Sequence, residues 1–290
     1  MAFHSSVAFL AMAAVSMAAG WALAEPELDR ARALYQQTQY RQALALIDHA
    51  QPKTAAYYAL LGQCYYMLED YKKSSEAFQK AVDADGGNSV YWDWLGRAYG
   101  KRAENAFPLT APSYASKARQ FFEKAVEMDP VNLDAVDDLF EYYLEAPGFL
   151  GGGTDKAAAI AERVRQRASA KYHSMHARLA EKAKKPAIAE QQWRAATEAA
   201  PTEPGRWIDL ARFLARQGRH AESDAAFEQA LKIAPENVQL KFQRARTYVD
   251  SKRNLDQARR LLEEYLKASL TPDDPPRSDA QKLLQKIARS

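Results

Sequence analysis

Large apolar residues recur at helical spacing, and the same arrangement returns along the chain. Tyr58-x2-Leu61-Gly62-x2-Tyr65 is followed by Trp92-x2-Leu95-Gly96-x2-Tyr99 and later by Trp207-x2-Leu210-Ala211-x2-Leu214. Gly62 and Gly96 lie 34 residues apart, as do Ala177, Ala211 and Ala245, and Pro201 and Pro235. A second helical pattern follows each anchor: Phe78-x2-Ala81, Ala118-x3-Phe122-x2-Ala125 before Asp129-Pro130, Ala189-x3-Trp193-x2-Ala196 before Pro201, and Phe227-x2-Ala230 before Pro235. A fixed period of this length marks stacked supersecondary units. Each unit is then a helix pair, ended by a proline that cannot continue a helix. Small residues belong where helix axes come close, and the expectation is that large side chains of the first helix fill gaps left by Gly or Ala on the second.

This pattern closely resembles the tetratricopeptide repeat (TPR). The resemblance runs over nearly all of residues 26–271 and implies an all-α, right-handed superhelical solenoid of about seven helix pairs. The pairs fall near residues 26–50, 55–86, 89–130, 133–169, 170–201, 204–235 and 238–271. The first lacks its leading aromatic, the fifth has His173 and His176 at its large-residue slots, and the seventh has Arg244 where Leu is expected. A last helix near 277–288 gathers Ala280, Leu283, Leu284 and Ile287 on one face, suited to capping the open end. TPRs mostly organise protein complexes, so the resemblance implies a protein or peptide partner and no cofactor, without naming that partner.

Units three and four are longer than the family's, with the surplus between the two helices of the pair. One insertion lies near 100–113 and contains Phe107, Pro108, Leu109 and Pro112; the other lies near 146–154 and contains Phe149, Leu150, Gly151, Gly152 and Gly153. Successive turns of a solenoid project on one edge, so the two are expected to be neighbours and to offer a loop edge for partner contact. The helix starting near Thr154 could receive an anion on its free N–H groups. The plainer reading is that Thr154 or Asp155 caps it and the glycines form a flexible turn; the loop matches neither G-x-x-x-x-G-K-[ST] nor G-x-G-x-x-G.

In a TPR superhelix the residue just past the small slot of each first helix faces the concave groove. Here those residues are Arg32, Gln63, Arg97, Glu141, Arg178, Arg212 and Arg246. Four residues later, on the same face, come Gln36, Met67, Lys101, Glu145, Lys182, Arg216 and Asp250. One reading is a groove for an acidic segment or a peptide carboxylate, carried by Arg97, Lys101, Arg178, Lys182, Arg212, Arg216 and Arg246. The Asn of the Lys/Asn/Lys/Arg clamp found in some TPRs is absent from these slots. The other reading is internal pairing with Asp93, Asp137 and Asp209. Glu141 and Glu145 divide the stripe, which argues against nucleic acid.

Composition adds class and compartment. With 47% apolar and 27% charged residues, wholesale disorder is excluded, and a net charge of +3 selects no partner class. Residues 1–24 hold no Asp, Glu, Lys or Arg, run apolar from Val7 to Ala19 and end Ala22-Leu23-Ala24, the form of a signal peptide. The mature chain, a TPR domain over 25–290, is expected to start at Glu25, to be exported to the periplasm and to contain no transmembrane segment. The single cysteine, Cys64, has no intrachain disulfide partner and reads as a buried thiol.

Enzyme motifs such as H-E-x-x-H, G-x-S-x-G and C-x-x-C are absent from the sequence, so no catalysis is expected. His173 and His176 could share a metal with Glu181, but a site needs three or four ligands, and packing is the better reading for them. Tyr57, Tyr65, Tyr91, Tyr99 and Trp207 also read as packing residues. The leading functional expectation is a non-catalytic adaptor of the cell envelope. The alternative is a ligand-binding accessory protein of a periplasmic uptake system, loosely similar to the helical-repeat T-components of TRAP transporters; a closed apolar cavity beneath the two insertions would favour it, and an open groove the adaptor.

Overall fold

The computed structural model describes residues 27–48 and 53–289; the expected signal peptide and its cleavage point lie outside them. Every regular element among the described residues is helical. The helices form two compact units, one ending at Asp138 and the other beginning at Leu139. The first holds α1 (27–36), α2 (Tyr40–Ile47), α3 (Ala55–Met67), α4 (Tyr71–Ala84), α5 (Ser89–Glu104) and α6 (Ala111–Met128). The boundary falls within α7 (Leu133–Glu145). The second continues with a single 3-10 turn (Gly148–Leu150), α8 (Thr154–Val164), α9 (Ser169–Lys182), α10 (Pro186–Ala199), α11 (Pro204–Arg216), α12 (His220–Ile233), α13 (Val238–Asp250), α14 (Leu255–Lys267) and α15 (Arg277–Ala288). Within each unit, consecutive helices pack as pairs, α3 on α4 and α5 on α6 in one, α9 on α10 and α11 on α12 in the other.

Local chemistry sets the ends of these helices. The side chains of Thr54, Asp70, Asn88 and Asn237 accept hydrogen bonds from backbone N–H groups one to three residues inside α3, α4, α5 and α13. Pro186 and Pro204 open α10 and α11, where a missing N–H costs nothing. Most turns inside a pair share one conformation. Thr38, Glu69, Lys184, Gly218 and Lys252 all have positive φ, and the next residue donates its N–H back to the helix, as Asp70 does to Tyr65 and Lys185 to Ala180 at 2.9 and 2.8 Å. This closure satisfies carbonyls left open at a helix end.

The packing between paired helices runs opposite to the sequence expectation. The small residue is on the first helix and the large ring comes from the second: Phe78 of α4 lies on Gly62, and Phe122 of α6 lies on Gly96. Both rings are buried, and the glycine lets the axes approach closely enough to enclose them. Around them the first unit buries Ala59, Ala81, Val82 and Leu95, with a second cluster of Tyr35, Ile47, Tyr57 and Cys64. In the second unit Trp193, Leu210, Phe213 and Phe227 form one core, and α15 seals another by laying Ala280 and Ile287 against the cluster of Phe242 and Tyr265.

The surplus of unit three is a second correction. It lengthens the helices rather than forming a long loop, giving 16 residues in α5 and 18 in α6 against 13 and 14 in α3 and α4. Among the described residues no helix is long and apolar enough to cross a membrane.

Candidate partner-binding surface

In the second unit, α9, α11 and α13 present Arg178, Arg212 and Arg246 at 34-residue intervals. Each follows a fully buried alanine, Ala177, Ala211 or Ala245, so the packing of the small slot fixes where the arginine emerges. Most cations of the two rows already have carboxylate partners. In the first unit Arg32 reaches Asp29 at 3.3 Å, Lys101 reaches Glu104 at 2.7 Å, and Arg97 is held by both Asp93 and Asp138. In the second, Arg178 pairs with Glu141, Lys182 with Glu145 at 2.8 Å, and Arg216 with Glu181 at 2.7 Å. The two glutamates that interrupt the stripe are thus the counter-ions of its neighbours.

Arg212 and Arg246 differ. Their nearest carboxylates, Asp209 and Asp250, are 3.8 Å away, beyond hydrogen-bond length. Neither guanidinium has a hydrogen-bond acceptor among the described residues. Both line a cavity of about 470 Å³ shared with Arg216, His220, Thr247, Asp250 and Ser251. His220 brings to that cavity's wall a ring whose Nδ1 is buried and without a hydrogen-bond partner. Burial holds the Arg212 guanidinium below its ordinary pKa, aided by repulsion from Arg216 and Arg246 and against the attraction of Asp209. Lys286 of α15 shares Asp250 at 3.1 Å.

The loop-edge residues are as apolar and open as their sequence suggests. In the first unit Phe107 and Leu109 are 83% and 96% exposed, on a turn closed by Thr110 N–H to Phe107 C=O at 2.9 Å. In the second, Phe149 is 82% exposed and Leu150 half-buried. The glycine run forms a hydrogen-bonded turn. Gly151, Gly152 and Gly153 donate their N–H groups to the carbonyls of Gly148, Pro147 and Tyr143, which leaves none of the three for an anion. The Tyr142 hydroxyl and the Lys156 ammonium bind the carbonyls of Leu150 and Gly151 at 2.9 and 2.8 Å. A Cβ at Gly152 would fall 1.9 Å from the Ala146 oxygen, so backbone proximity demands glycine there. Gly153 is the N-cap of α8, and no side chain caps it; neither Thr154 nor Asp155 takes that role.

His173 and His176 do not converge. His173 Nδ1 lies 2.8 Å from Gln192 Oε1, and His176 packs against Tyr172 with the rings tilted by 49° and Nε2 3.2 Å from Glu162. Glu181 accepts from the Trp193 indole and from Arg216, both at 2.7 Å. Among the described residues no three potential ligands are grouped around a metal position. Sequence reasoning missed Asp138, His220, Thr247 and Ser251. A signal existed for Asp138, which stands three residues before the groove position of its helix, as Asp209 does on α11.

The tetratricopeptide repeat family matches residues 28–89 and 174–238. No curated protein matches the chain. Among solved structures, a tetratricopeptide repeat protein from Parabacteroides merdae is similar with a TM-score of 0.59 at 12% identity, over 91% of this chain and 98% of that one. A thermophilic TPR protein from Thermus thermophilus has a TM-score of 0.51 at 19% identity, over 68% of this chain and 100% of that one. At such identities the likeness speaks to fold alone. The chain thus carries tetratricopeptide repeats over these two stretches, with helix pairs of similar construction between them, and is similar in fold to tetratricopeptide repeat proteins.

Proposed function

We propose that the chain is a non-catalytic protein-binding module of the cell envelope, exported through its N-terminal segment, that docks an acidic stretch of a partner on the α11–α13 face. The observation that carries this is the pair of guanidiniums, Arg212 and Arg246, that line one cavity and lack hydrogen-bond acceptors. A guanidinium offers a planar fork of donors that suits a carboxylate.

The test is titration of an end-blocked oligoglutamate peptide against the wild type and Arg212→Glu/Arg246→Glu. The Arg246 side chain is 52% exposed and the half-buried Arg212 38%, and neither fills a packing slot, so folding should change by about 1 kcal/mol for the pair. Binding should fall at least tenfold and lose its salt dependence, since attraction between exposed charges is screened over ~8 Å at physiological salt. Equal affinity of variant and wild type at low salt would refute the reading.

A further inference from the structure

Arg97, in the groove rows, is held by two carboxylates at once. Its Nε lies 3.0 Å from Asp93 Oδ2 and also donates to Asp138 Oδ2. The Asp93 side chain is only 3% exposed, and its Oδ1 is buried with no hydrogen-bond partner. Two ionised carboxylates against one guanidinium would leave a negative charge inside the first unit, with a bare oxygen that neither water nor a donor reaches. That arrangement is unfavourable wherever the dielectric is low.

Among the described residues, the groups that bear most on the two carboxylates besides Arg97 are acidic or neutral. From α7 the cluster is faced by Asp134, Asp137 and Asp138, from α3 by the Tyr66 hydroxyl, and beyond Tyr66 by Tyr71 of α4 and Glu104 of α5. Lys101, one turn along α5 from Arg97, is bound to Glu104 at 2.7 Å. The indole of Trp94 lies under the Arg97 guanidinium, 5.0 Å from ring centre to Cζ, and shields it from water on that side.

We propose that Asp93 and Asp138 hold one proton between them at neutral pH, making the contact of α5 with α7 a proton-gated junction. The proton turns an acceptor–acceptor contact into an O–H···O⁻ hydrogen bond and brings the cluster to zero net charge. Two close carboxylates that cannot both ionise have this property in general. The same direction follows from solvation: burial first, then the neighbouring Asp138, raises the Asp93 carboxyl to about 8 despite the attraction of Arg97. Burial also raises Asp138.

The sign of the pH effect is fixed by this. A carboxyl whose pKa is higher in the folded chain than the ordinary value of about 4 binds its proton more tightly when folded. Its contribution to stability is complete below pH ~4, falls as pH rises, and is gone above pH ~8. In that window the folding equilibrium constant can drop by up to tenfold per pH unit, the limit for one proton.

The experiment compares thermal and urea unfolding of the wild type and Asp93→Asn from pH 5 to 9. An asparagine amide can donate to Asp138 as the protonated acid does, without titrating. The wild type should lose stability relative to the variant as pH rises, with the difference levelling off near pH 8. A difference that does not change with pH would overturn the proposal. Infrared spectra of wild-type protein carrying 13C-carboxyl aspartate decide independently if the variant fails to fold. They should contain a protonated carboxylic-acid stretch at pH 7 that disappears above pH 9, and its absence at pH 7 would also overturn the proposal.

Discussion

Replacement of Gly96 by alanine sets two effects of known sign against each other. A Cβ at this position falls 2.6 Å from Cδ1 and Cε1 of Phe122 and 3.2 Å from Cγ. Atoms cannot approach so closely, and the ring, 7% exposed and enclosed between α5 and α6, has little room to retreat. Overpacking of a filled core costs about 1–3 kcal/mol. Against this, alanine is favoured over glycine inside a helix by about 1 kcal/mol. The clash should win, with a net loss of about 1 kcal/mol. Gly100, one turn further along the same helix, has nothing within 4 Å of its missing Cβ. Gly100→Ala should therefore stabilise by about 0.5–1 kcal/mol. The cause is isolated by placing Gly96→Ala in a Phe122→Leu background, where the ring edge is gone and alanine should become neutral or stabilising. Urea unfolding of the four proteins gives the coupling, expected at 1 kcal/mol or more, within the usual range of about 0.5–3 for residues in contact. An equal cost of Gly96→Ala in both backgrounds would refute the assignment of Phe122 to the space above Gly96.

Two further outcomes are expected. The Cys64 thiol, fully buried and pushed by burial up to about 12, should fail to react with Ellman's reagent in the native state and react once the chain is unfolded in urea; fast labelling of folded protein would contradict its placement. N-terminal sequencing of protein from an exported fraction should begin at Glu25, and retention of Trp21 would contradict the proposed export.

What could be read in the sequence is what packing imposes at fixed spacing. Gly62 and Gly96 stand out because a ring must sit on each, and Ala177, Ala211 and Ala245 because two helices leave no volume there. The direction of that packing was not legible, since a small and a large residue in register fit equally well whichever helix bears which. Nor was the extension of α5 through Lys101, Arg102, Ala103 and Glu104, where an interrupted repeat pattern suggests a loop although each residue favours helix. The candidate site was legible as a row of arginines and not as a set of partners. Asp138 is 41 residues from Arg97, and Glu181 is 35 from Arg216. Which cations remain open to a ligand depends on such distant pairings, and no local pattern encodes them.

The shared turn within the helix pairs bears on how such a chain can change over time. Thr38, Glu69, Lys184, Gly218 and Lys252 are chemically unlike one another, yet all occupy the left-handed region. Only the glycine does so without steric cost; for the others it is about 1 kcal/mol or more each. The turn is therefore imposed by the returning N–H bonds and by the helices on either side, not by the residue at its apex. Mutation can roam through these positions without altering the path of the backbone. A lineage can then vary widely at its turns while its helices stay in place.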